Sequence, residues 1–355
     1  MHGGDVYGKN IDIDFSVNLN PVTMTPSLES AVNAAIAEGI GSAGRYPDIR
    51  QREVRAKLAA YCGTCPECIV AASGASQLIM SITHMCAPKK ALVTEPSFSG
   101  FAFALSGITD CSRVRYLLRE EDGFAVTADI ISHMSSDIDI MYIQDVWNPT
   151  GKITDGKLLT DVLDKAAQCG ITVILDQSFT DLSDKNIEDS ADDAAALIGK
   201  YSGLFIVRSL TKSFAFPGIR MGYALSCAQN IRRLLSYVPE WNLSSIAGSL
   251  MTYLASQGAK EWLRDCAKII KNDREYLCEG LTRQGMKVYE SGTVFILFFV
   301  PYDIDLYEEL LLKRILVRSC ADIPGLSNRY IRVAVRSKED NDILLDTIGE
   351  IINGH

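Results

Sequence analysis

Short apolar segments alternate with amphipathic ones between residues 69 and 225, and this alternation limits the chain to few folds. The apolar segments have the length of strands, whereas the stretches between them carry apolar residues at helical spacing. Strands that alternate with helices form a mostly parallel sheet covered by helices on both faces. The sequence therefore predicts an α/β domain with a seven-stranded sheet, built from Ile69–Ser73, Ala91–Glu95, Arg113–Leu118, Ile138–Gln144, Ile171–Asp176, Leu204–Ser209 and Met221–Leu225.

The pattern changes after the seventh predicted strand. Longer helical segments follow, and they surround two apolar strands, Val294–Val300 and Ile331–Val335. We interpret this part as a smaller α+β domain. The predicted organisation is an N-terminal arm with part of the small domain at residues 1–44, a large domain at 45–235 and a small domain at 236–355.

Composition argues against several classes of partner. The chain has 355 residues, a net charge of −9 and a pI near 5.1 without a basic patch, so we expect neither nucleic acid nor an anionic membrane as partner. No apolar stretch approaches the ~20 residues of a membrane span. Ten cysteines in mostly apolar contexts are expected to be reduced, as in the cytoplasm.

The histidines argue against two kinds of catalytic site. They are few, and none is spaced with another as a metal-binding pair. We therefore expect no metal site and no serine–histidine–aspartate triad. The four are His2, His84, His133 and His355.

Two motifs point to other classes of protein but lack the required context. Gly39–Gly44 matches the glycine pattern of dinucleotide-binding loops, yet it follows a predicted helix, Ser27–Glu38, instead of a strand. Cys62, Cys65 and Cys68 resemble part of an iron–sulfur loop, yet a fourth cysteine is missing and a strand begins at once. We interpret the first motif as a helix end and the second as buried or half-buried thiols, and keep a dehydrogenase as a remote alternative.

Small, polar and charged residues follow the predicted strands at their carboxyl ends, where parallel sheets bind ligands. Gly74–Ser76 opens a helix after the first strand, and such a turn lets a phosphate reach backbone N–H groups. Asp176 ends an apolar strand, so its carboxylate should be partly buried and should need a cationic or proton-donating partner. The ring of Phe98 and the amide of Asn148 follow two other strands. Taken singly, each feature also fits a tight turn or core packing.

The stretch Gly203–Tyr223 places a lysine, Lys212, just after a buried strand. Ser209 precedes this lysine, and Arg220 follows it by eight positions. A lysine beside hydroxyl groups and an arginine suits a Schiff base with a phosphorylated aldehyde, because the amine forms the imine while the other groups hold the phosphate. A surface lysine on a polar loop is the alternative for this stretch alone. Other strand ends add the turn at Gly74–Ser76, the Phe98 ring, the Asn148 amide and the Asp176 carboxylate. Together, these groups are the ones that pyridoxal phosphate requires of its binding site.

With these residues assembled, the sequence resembles the class I and II aminotransferases, which are pyridoxal phosphate enzymes of fold type I, nearly from end to end. Within that family it is most similar to the branch of histidinol-phosphate aminotransferase and threonine-phosphate decarboxylase. The resemblance implies a large domain with a mostly parallel seven-stranded sheet and a smaller α+β domain. It rests on motifs in a fixed order: Tyr46-Pro47-Asp48, Asn148–Gly151, Asp176, Ser209–Lys212, Pro217–Gly222 and Ile331–Val333.

The resemblance also implies roles around the cofactor ring. Lys212 would form the Schiff base and later move the proton, as the catalytic residue. Asp176 would pair with the pyridine nitrogen, and Asn148 would donate a hydrogen bond to the ring oxygen. Phe98 would stack on the ring. Phe179 would lie beside the ring where the family has tyrosine or phenylalanine, and it lacks a hydroxyl group to donate to the ring oxygen.

A second group of residues would hold the cofactor phosphate. Tyr46 would reach the phosphate in the neighbouring subunit, which implies a homodimer with shared active sites. The residues of the same subunit would be Gly74, Ala75, Ser76, Ser209 and Arg220.

The substrate side leaves two reactions open. Arg332 would clamp the substrate carboxylate as a bidentate fork. If the carboxylate lies in the ring plane, Lys212 removes the α-proton and transamination follows, whereas a carboxylate out of plane leaves as carbon dioxide. His2 and Asn18 of the arm and Arg336 are further expected substrate contacts, with Arg336 able to meet a substrate phosphate.

We predict an aminotransferase that acts on an amino acid or an amino-acid-derived phosphate. The alternative is a decarboxylase similar to threonine-phosphate decarboxylase of cobalamin biosynthesis, because the N-terminal arm and the C-terminal stretch resemble that branch. A non-catalytic homologue that binds pyridoxal phosphate is a remote alternative.

Several positions depart from the usual family pattern. Ser73 and Gln77 flank the predicted phosphate cradle, where asparagine and an acidic residue are more common. Trp147 precedes Asn148 in place of a small residue, and Ser178 stands two positions after Asp176 in place of alanine. These departures bear on the substrate more than on the cofactor.

Overall fold

The computed structural model of this chain describes residues 3–187 and 194–354. The predicted substrate contact His2 lies outside these residues. The N-terminal arm contributes a short strand, β1 (Ile13–Asp14). Seven further strands form the large sheet: β2 (Ile69–Ala72), β3 (Lys90–Glu95), β4 (Ser112–Leu117), β5 (Ile140–Gln144), β6 (Thr172–Asp176), β7 (Leu204–Ser209) and β8 (Gly222–Leu225).

The strand order in the large sheet is β2-β8-β7-β6-β5-β3-β4. Strand β8 runs antiparallel to both of its neighbours, while the other paired strands are parallel. Each predicted strand overlaps an observed one, so the mostly parallel seven-stranded α/β sheet is confirmed. The parallel strands end at one edge, and this edge carries the residues considered below.

Successive residues of the strands face opposite sides of the sheet, as the pleat of a β-strand requires. Ile69 and Ala71 pack in one hydrophobic cluster, whereas Val70 and Ala72 pack in the other. All four side chains are fully buried because helices cover both faces. This burial on two faces explains why the strands are continuous apolar runs in the sequence.

The helices match the periodicity of the sequence with small shifts at their ends. One short segment between strands, Ala128–His133, is a 3-10 helix. The observed helices are α1 (Pro26–Gly41), α2 (Arg52–Tyr61), α3 (Ala75–Cys86), α4 (Ser99–Ser106), α5 (Gly156–Cys169), α6 (Asp184–Ile187), α7 (Ala194–Lys200), α8 (Leu210–Ser213), α9 (Ala228–Leu234), α10 (Ser245–Leu254), α11 (Gln257–Arg283), α12 (Leu306–Leu312) and α13 (Lys338–Gly354).

The glycine pattern at residues 39–44 belongs to a contact between two helices. Gly39 was expected to end the first helix, but α1 continues to Gly41. A Cβ atom on Gly39 would lie 2.5 Å from Cα of Ile246, so only glycine lets α1 approach α10 this closely. The segment therefore lacks the strand–turn–helix context of a dinucleotide-binding loop.

The cysteine run contains three thiols in different environments. Cys62 is buried and donates to Tyr223 Oη across 3.6 Å, and Cys68 is half-buried. Cys65 is exposed, so the expectation that all three are at least half-buried is wrong. Cys65 directly precedes a 3-10 turn, Pro66–Cys68, in which no residue is buried. Among the residues that the structure describes, no group of three or more side chains is placed to hold a metal ion.

A second, smaller sheet is built from the C-terminal part of the chain. Its order is β12-β13-β10-β9, and β1 of the arm pairs separately with β11 through Ile13 and Ile315. The arm thus packs with the C-terminal part, while the domain boundaries at residues 44 and 235 stay a prediction. None of the described helices has the length and apolar character needed to cross a bilayer. The strands are β9 (Lys287–Val288), β10 (Phe295–Phe299), β11 (Ile315–Leu316), β12 (Arg318–Ser319) and β13 (Tyr330–Ala334).

Candidate active site

A cavity of about 410 Å³ opens at the carboxyl ends of the parallel strands. It lies between the large sheet, the N-terminal arm and the small sheet. Most of the residues that the sequence singles out line it together: Asn18, Ala75, Ser76, Phe98, Asn148, Asp176, Phe179, Ser209, Lys212, Arg220 and Arg332. The fold therefore collects residues from seven separate segments of the chain at one place.

One end of the cavity is a cradle suited to a phosphate. Gly74 precedes α3 with φ +84°, a conformation that favours glycine. A Cβ atom there would lie 2.7 Å from Nη2 of Arg220, so the missing side chain leaves room for the guanidinium. Ala75 and Ser76, the first two residues of α3, line the cavity together with Ser209 and Arg220, and a helix N-terminus beside an arginine is a favourable setting for a dianion.

Ser73 and Gln77, which depart from the usual family pattern beside this cradle, are joined by a hydrogen bond. The Ser73 backbone N–H donates to Gln77 Oε1 across 2.7 Å. Gln77 lies in the first turn of α3, so its amide satisfies a backbone donor beside the helix start. The neutral Gln77 side chain adds no negative charge to the phosphate end of the cavity.

Lys212 lies in the short helix α8, directly after β7. Its ammonium group stands 5.9 Å from the centre of the Phe179 ring. Burial lowers the pKa of Lys212 to about 8, and repulsion from Arg332 and Arg220 acts in the same direction, against the attraction of Asp176. A neutral amine, which is the form needed for nucleophilic attack and for accepting a proton, is therefore accessible near neutral pH.

Asp176 ends β6 with its carboxylate buried in the cavity wall. Burial raises the pKa of this carboxyl group, and two hydrogen bonds from Ser178 oppose the shift. The Ser178 hydroxyl lies 2.5 Å from Asp176 Oδ1, and its backbone N–H lies 2.9 Å from the same oxygen. A buried carboxylate of this kind is suited to a protonated ring nitrogen.

Phe98 and Asn148 are placed by close backbone packing. A Cβ atom on Gly100 would lie 2.2 Å from the Phe98 ring, so the glycine lets this ring lie against the start of α4. Gly151, three residues after Asn148, has a φ of +76°, and its missing side chain leaves room for Ser291 to pack against the turn. Trp147 is buried and donates to Thr154 Oγ1 across 2.9 Å, which explains how a large residue fits before Asn148.

Arg332 is a buried cation on β13 at the opposite end of the cavity. Its Nη1 donates to Asn148 Oδ1 and its Nη2 donates to the Ser16 carbonyl, both across 2.6 Å. Its Nε and Oδ1 of nearby Asn18 are buried without a hydrogen-bond partner. Burial lowers the pKa of Arg332 to about 10. No described carboxylate lies within salt-bridge distance of this guanidinium, so an anionic ligand fits there.

A second cavity arginine, Arg318, is absent from the residues that the sequence singles out. It is buried, and it stands directly opposite Arg332 on the neighbouring strand β12. Arg318 forms an ion pair of 2.8 Å with Asp322, which is partly exposed. The signal in the sequence is a charged residue directly after the apolar run Ile315–Val317, but only the pairing of β12 with β13 brings the two arginines together.

Arg336 and Tyr46, which were expected at the site, do not line this cavity. Arg336 forms an ion pair of 2.8 Å with Asp340 and donates to the Asp14 carbonyl, so it is directed away from the cavity. We therefore replace Arg336 with Arg318 as the second candidate for an anionic group of the substrate. Tyr46 is 79% exposed and stacks on Trp241 with ring centres 4.9 Å apart.

The comparisons with known proteins extend over nearly the whole chain. The profile of the family described as Aminotransferase class I and II matches residues 10–348. The chain is 31% identical to threonine-phosphate decarboxylase of Salmonella typhimurium, over 99% of this chain and 97% of that protein.

Solved structures agree with this match. The histidinol-phosphate aminotransferase from Clostridium acetobutylicum superposes with a TM-score of 0.86 at 25% identity, covering 97% of this chain and 100% of that one. The histidinol-phosphate aminotransferase from Sinorhizobium meliloti, in complex with pyridoxal-5'-phosphate, has the same fold with a TM-score of 0.84 at 18% identity, covering 98% and 92% of the two chains.

Proposed function

Because the chain belongs to the class I and II aminotransferase family, we propose that it is an aminotransferase that acts on an amino acid or an amino-acid-derived phosphate, and that at least one of its two substrates carries two anionic groups. The fold is fold type I, and the cofactor is pyridoxal 5'-phosphate. The observation that carries the substrate class is the pair of buried arginines, Arg318 and Arg332, opposite each other in the cavity.

The residues present fit the cofactor. The space above Gly74, the start of α3 and the Arg220 guanidinium suit its phosphate, because a side chain on Gly74 would occupy that space. Ala75, Ser76 and Ser209 line the same end of the cavity. Asp176 would face the ring nitrogen. When bound, pyridoxal phosphate supplies an electron sink that stabilises negative charge at the substrate α-carbon.

Lys212 is the proposed catalytic residue. Its lowered pKa leaves a usable fraction of neutral amine near neutral pH, so Lys212 Nζ can accept the α-proton of the substrate and return it. Thr211 Oγ1 donates to the Met221 carbonyl and accepts from the Met221 N–H, which holds α8 and therefore Lys212 in place.

The two cavity arginines support a doubly anionic substrate. Like charges directly opposite each other on paired strands are destabilising unless an anion lies between them. Asp322 balances one of the two charges, and a bound carboxylate or phosphate would balance the other. A phosphorylated amino acid and a dicarboxylate amino acceptor each carry two anionic groups and meet this requirement, whereas a phosphorylated amino alcohol such as histidinol phosphate would place its single phosphate on one of the two arginines.

The clamp on Arg332 supports proton removal over loss of carbon dioxide. Arg332 is tied to Asn148, the residue expected at the edge of the cofactor ring, and to the arm through Ser16. A guanidinium fixed at both ends would hold a substrate carboxylate in one orientation. If that orientation retains the carboxylate, the Cα–H bond is left for Lys212.

Decarboxylation of a phosphorylated amino acid is the second candidate. It is favoured by the arm: a Cβ atom on Gly3 would lie 2.2 Å from the Ser16 carbonyl oxygen and 3.4 Å from Nη2 of Arg332. The arm therefore closes the cavity beside the clamp. The similarity to the Salmonella decarboxylase extends over this arm as well.

We also propose that the protein is a homodimer in which each subunit contributes a residue to the active site of the other. Tyr46 points away from the cavity of its own chain, and the exposed pair of Tyr46 and Trp241 offers a surface for a second copy. We propose that Tyr46 completes the phosphate site of the other subunit. The cytoplasmic location, inferred from ten unpaired cysteines, belongs to the same proposal.

Two incubations of the holoenzyme test the reaction. The first contains threonine phosphate alone, and the second contains histidinol phosphate with 2-oxoglutarate. Glutamate formed in the second supports amino transfer, whereas carbon dioxide released in the first assigns the decarboxylase. A protein that takes up pyridoxal phosphate at Lys212 but is silent in both requires another anionic amino substrate. A protein that never takes up the cofactor would contradict both candidates.

A further inference from the structure

The thiols of Cys65 and Cys68 face each other at the protein surface, away from the active-site cavity. Their sulfur atoms are 3.2 Å apart. Cys65 is exposed and Cys68 is half-buried. This contact has no part in the cofactor or substrate chemistry described above, because neither residue lines the cavity.

The backbone between the two cysteines has the geometry of a disulfide-forming turn. The Cys68 N–H donates to the Cys65 carbonyl across 2.9 Å, which closes a 3-10 turn at Pro66–Cys68. The Cα atoms at the ends of such a turn lie less than ~7 Å apart. Disulfides form when the Cα atoms are about 4.4–6.8 Å apart, so the bond needs a movement of the side chains and little movement of the backbone.

Arg55 holds this turn from α2. Its Nη2 donates to the Pro66 carbonyl across 2.7 Å, and its Nε donates to the Ile69 carbonyl across 2.9 Å. These bonds fix the backbone on both sides of Cys68. The two thiols are therefore kept close together by the fold and not by chance rotation of an open loop.

The third cysteine of the run is not part of the pair. Cys62 is buried, and its thiol contacts Tyr223 Oη. Burial raises the pKa of the Cys62 thiol, which further lowers its reactivity. Among the described residues, no group of three metal-ligating side chains includes Cys65 and Cys68.

We propose that Cys65 and Cys68 form a reversible dithiol–disulfide pair that exchanges with low-molecular-weight disulfides. The Cys65 thiolate attacks one sulfur of the external disulfide, whose S–S bond breaks and releases one thiolate. The Cys68 thiolate then attacks Cys65 Sγ and releases the second thiolate. The two protons of the cysteines go to the released thiolates, so the protein is oxidised by two electrons and the external disulfide is reduced.

The environments of the two thiols assign the order of attack. Cys65 is the exposed thiol and meets the external disulfide first. Burial raises the pKa of Cys68 to about 11, and the neighbouring Cys65 thiol adds to that shift. When Cys65 is held in a mixed disulfide, its contribution to the shift is removed, and the short distance favours attack by Cys68.

The test uses the reduced full-length protein in mixtures of reduced and oxidised glutathione. The remaining thiols are trapped with N-ethylmaleimide in denaturant, and the peptides are mapped by mass. We expect Cys65 and Cys68 to lose two hydrogens and to escape labelling, while Cys62 is labelled. Returning the protein to excess reduced glutathione should restore both labels.

Three variants separate the steps. Cys68→Ser should keep glutathione on Cys65, because the resolving thiol is missing. Cys65→Ser should form no internal disulfide and should take up glutathione more slowly at Cys68. Cys227→Ser is the control for a neighbouring half-buried thiol, and it should leave the Cys65–Cys68 bond unchanged.

Two outcomes would overturn the proposal. One is a wild-type protein that accumulates glutathione on Cys65 to the same level as Cys68→Ser. The other is pairing of Cys65 or Cys68 with any other cysteine in preference to each other. Both outcomes are read from peptide masses, so they do not depend on the reaction that the enzyme catalyses.

Discussion

Ser178 donates two hydrogen bonds to a single oxygen of Asp176, from its hydroxyl across 2.5 Å and from its backbone N–H across 2.9 Å. Both residues line the cavity at the end of β6. Burial raises the pKa of Asp176, whereas both bonds act to lower it. The serine therefore holds the carboxylate in one orientation and favours its charged form, which a protonated cofactor ring requires.

Replacing Ser178 by alanine should weaken cofactor binding. A hydrogen bond to a charged group contributes about 1.5–3 kcal/mol, so we expect pyridoxal phosphate to dissociate about tenfold more readily or worse. Loss of the hydroxyl raises the pKa of Asp176 further, and the defect should therefore be largest at low pH. Titrating the apo-protein with cofactor from pH 5 to 9 measures this. Ser178→Thr keeps the hydroxyl and should bind normally. Equal affinities for alanine and serine at every pH would exclude the role.

Lys212 should react as an amine with a low pKa. In competitive acetylation of the apo-protein, half-maximal labelling of Lys212 is expected at a pH of about 8, below the ordinary value of 10.5. Because the unfolded chain binds more protons between these values, the stability of the apo-protein should rise across this range, and Lys212→Met should lack that rise.

Arg332→Gln provides a second test of the same pKa. It removes one of the charges that repel the ammonium group, so labelling of Lys212 should shift to higher pH. The shift should be partial, because burial is the larger cause. Labelling of Lys212 at the pH of surface lysines in the unaltered apo-protein would show that the cavity does not depress its pKa.

The two cavity arginines should carry substrate recognition. Arg318→Gln and Arg332→Gln each remove a buried cation that would contact an anionic group, and such losses typically cost 2–5 kcal/mol. We expect kcat/KM to fall by about thirtyfold or more for either variant. The expected loss is mainly in KM for Arg318→Gln, while Arg332→Gln should lower kcat as well because it also positions Asn148.

Matched arginine variants outside the cavity distinguish recognition from a general loss of charge. Arg329→Gln removes a guanidinium that stacks on Phe299 and donates to the Val300 carbonyl, and kcat/KM should change little. Arg336→Gln separates the two assignments of the second anion contact. A large loss in this variant with Arg318→Gln unaffected would restore Arg336 as the substrate contact.

Gly74→Ala should weaken cofactor binding by intrusion into the phosphate cradle. The added methyl group would lie 2.7 Å from Nη2 of Arg220, and the φ of +84° adds backbone strain. Gly170→Ala is the control, because φ is +74° but no atom lies within 4 Å of the added Cβ. Both variants should lose thermal stability, and only Gly74→Ala should bind pyridoxal phosphate less tightly. Equal affinity in both variants would mean that the cradle is not formed at Gly74.

The sequence predicted those features that depend on local order along the chain. The seven strands follow from apolar runs such as Leu204–Val207, which must be buried on both faces of a parallel sheet. Lys212, Asp176 and Asn148 follow strands, and the carboxyl ends of parallel strands meet at one edge, so their proximity also follows from order alone. Gly39 was misread because a close helix contact and a helix end use the same residue.

The pairing of strands that are distant from the sheet residues in the sequence decided which arginines join the site. Arg318 joins the site only because β12 lies beside β13, and no local pattern at residue 318 shows which strand it will face. Arg336 has the same local character but is directed toward Asp340 and the arm. Thus the sequence by itself determined the sheet and the family, since these depend on periodicity and motif order, and it predicted which strand-end residues would meet at one edge of the sheet. Only the tertiary structure decided which arginines share the cavity, because strand register and burial place each side chain on one face or the other.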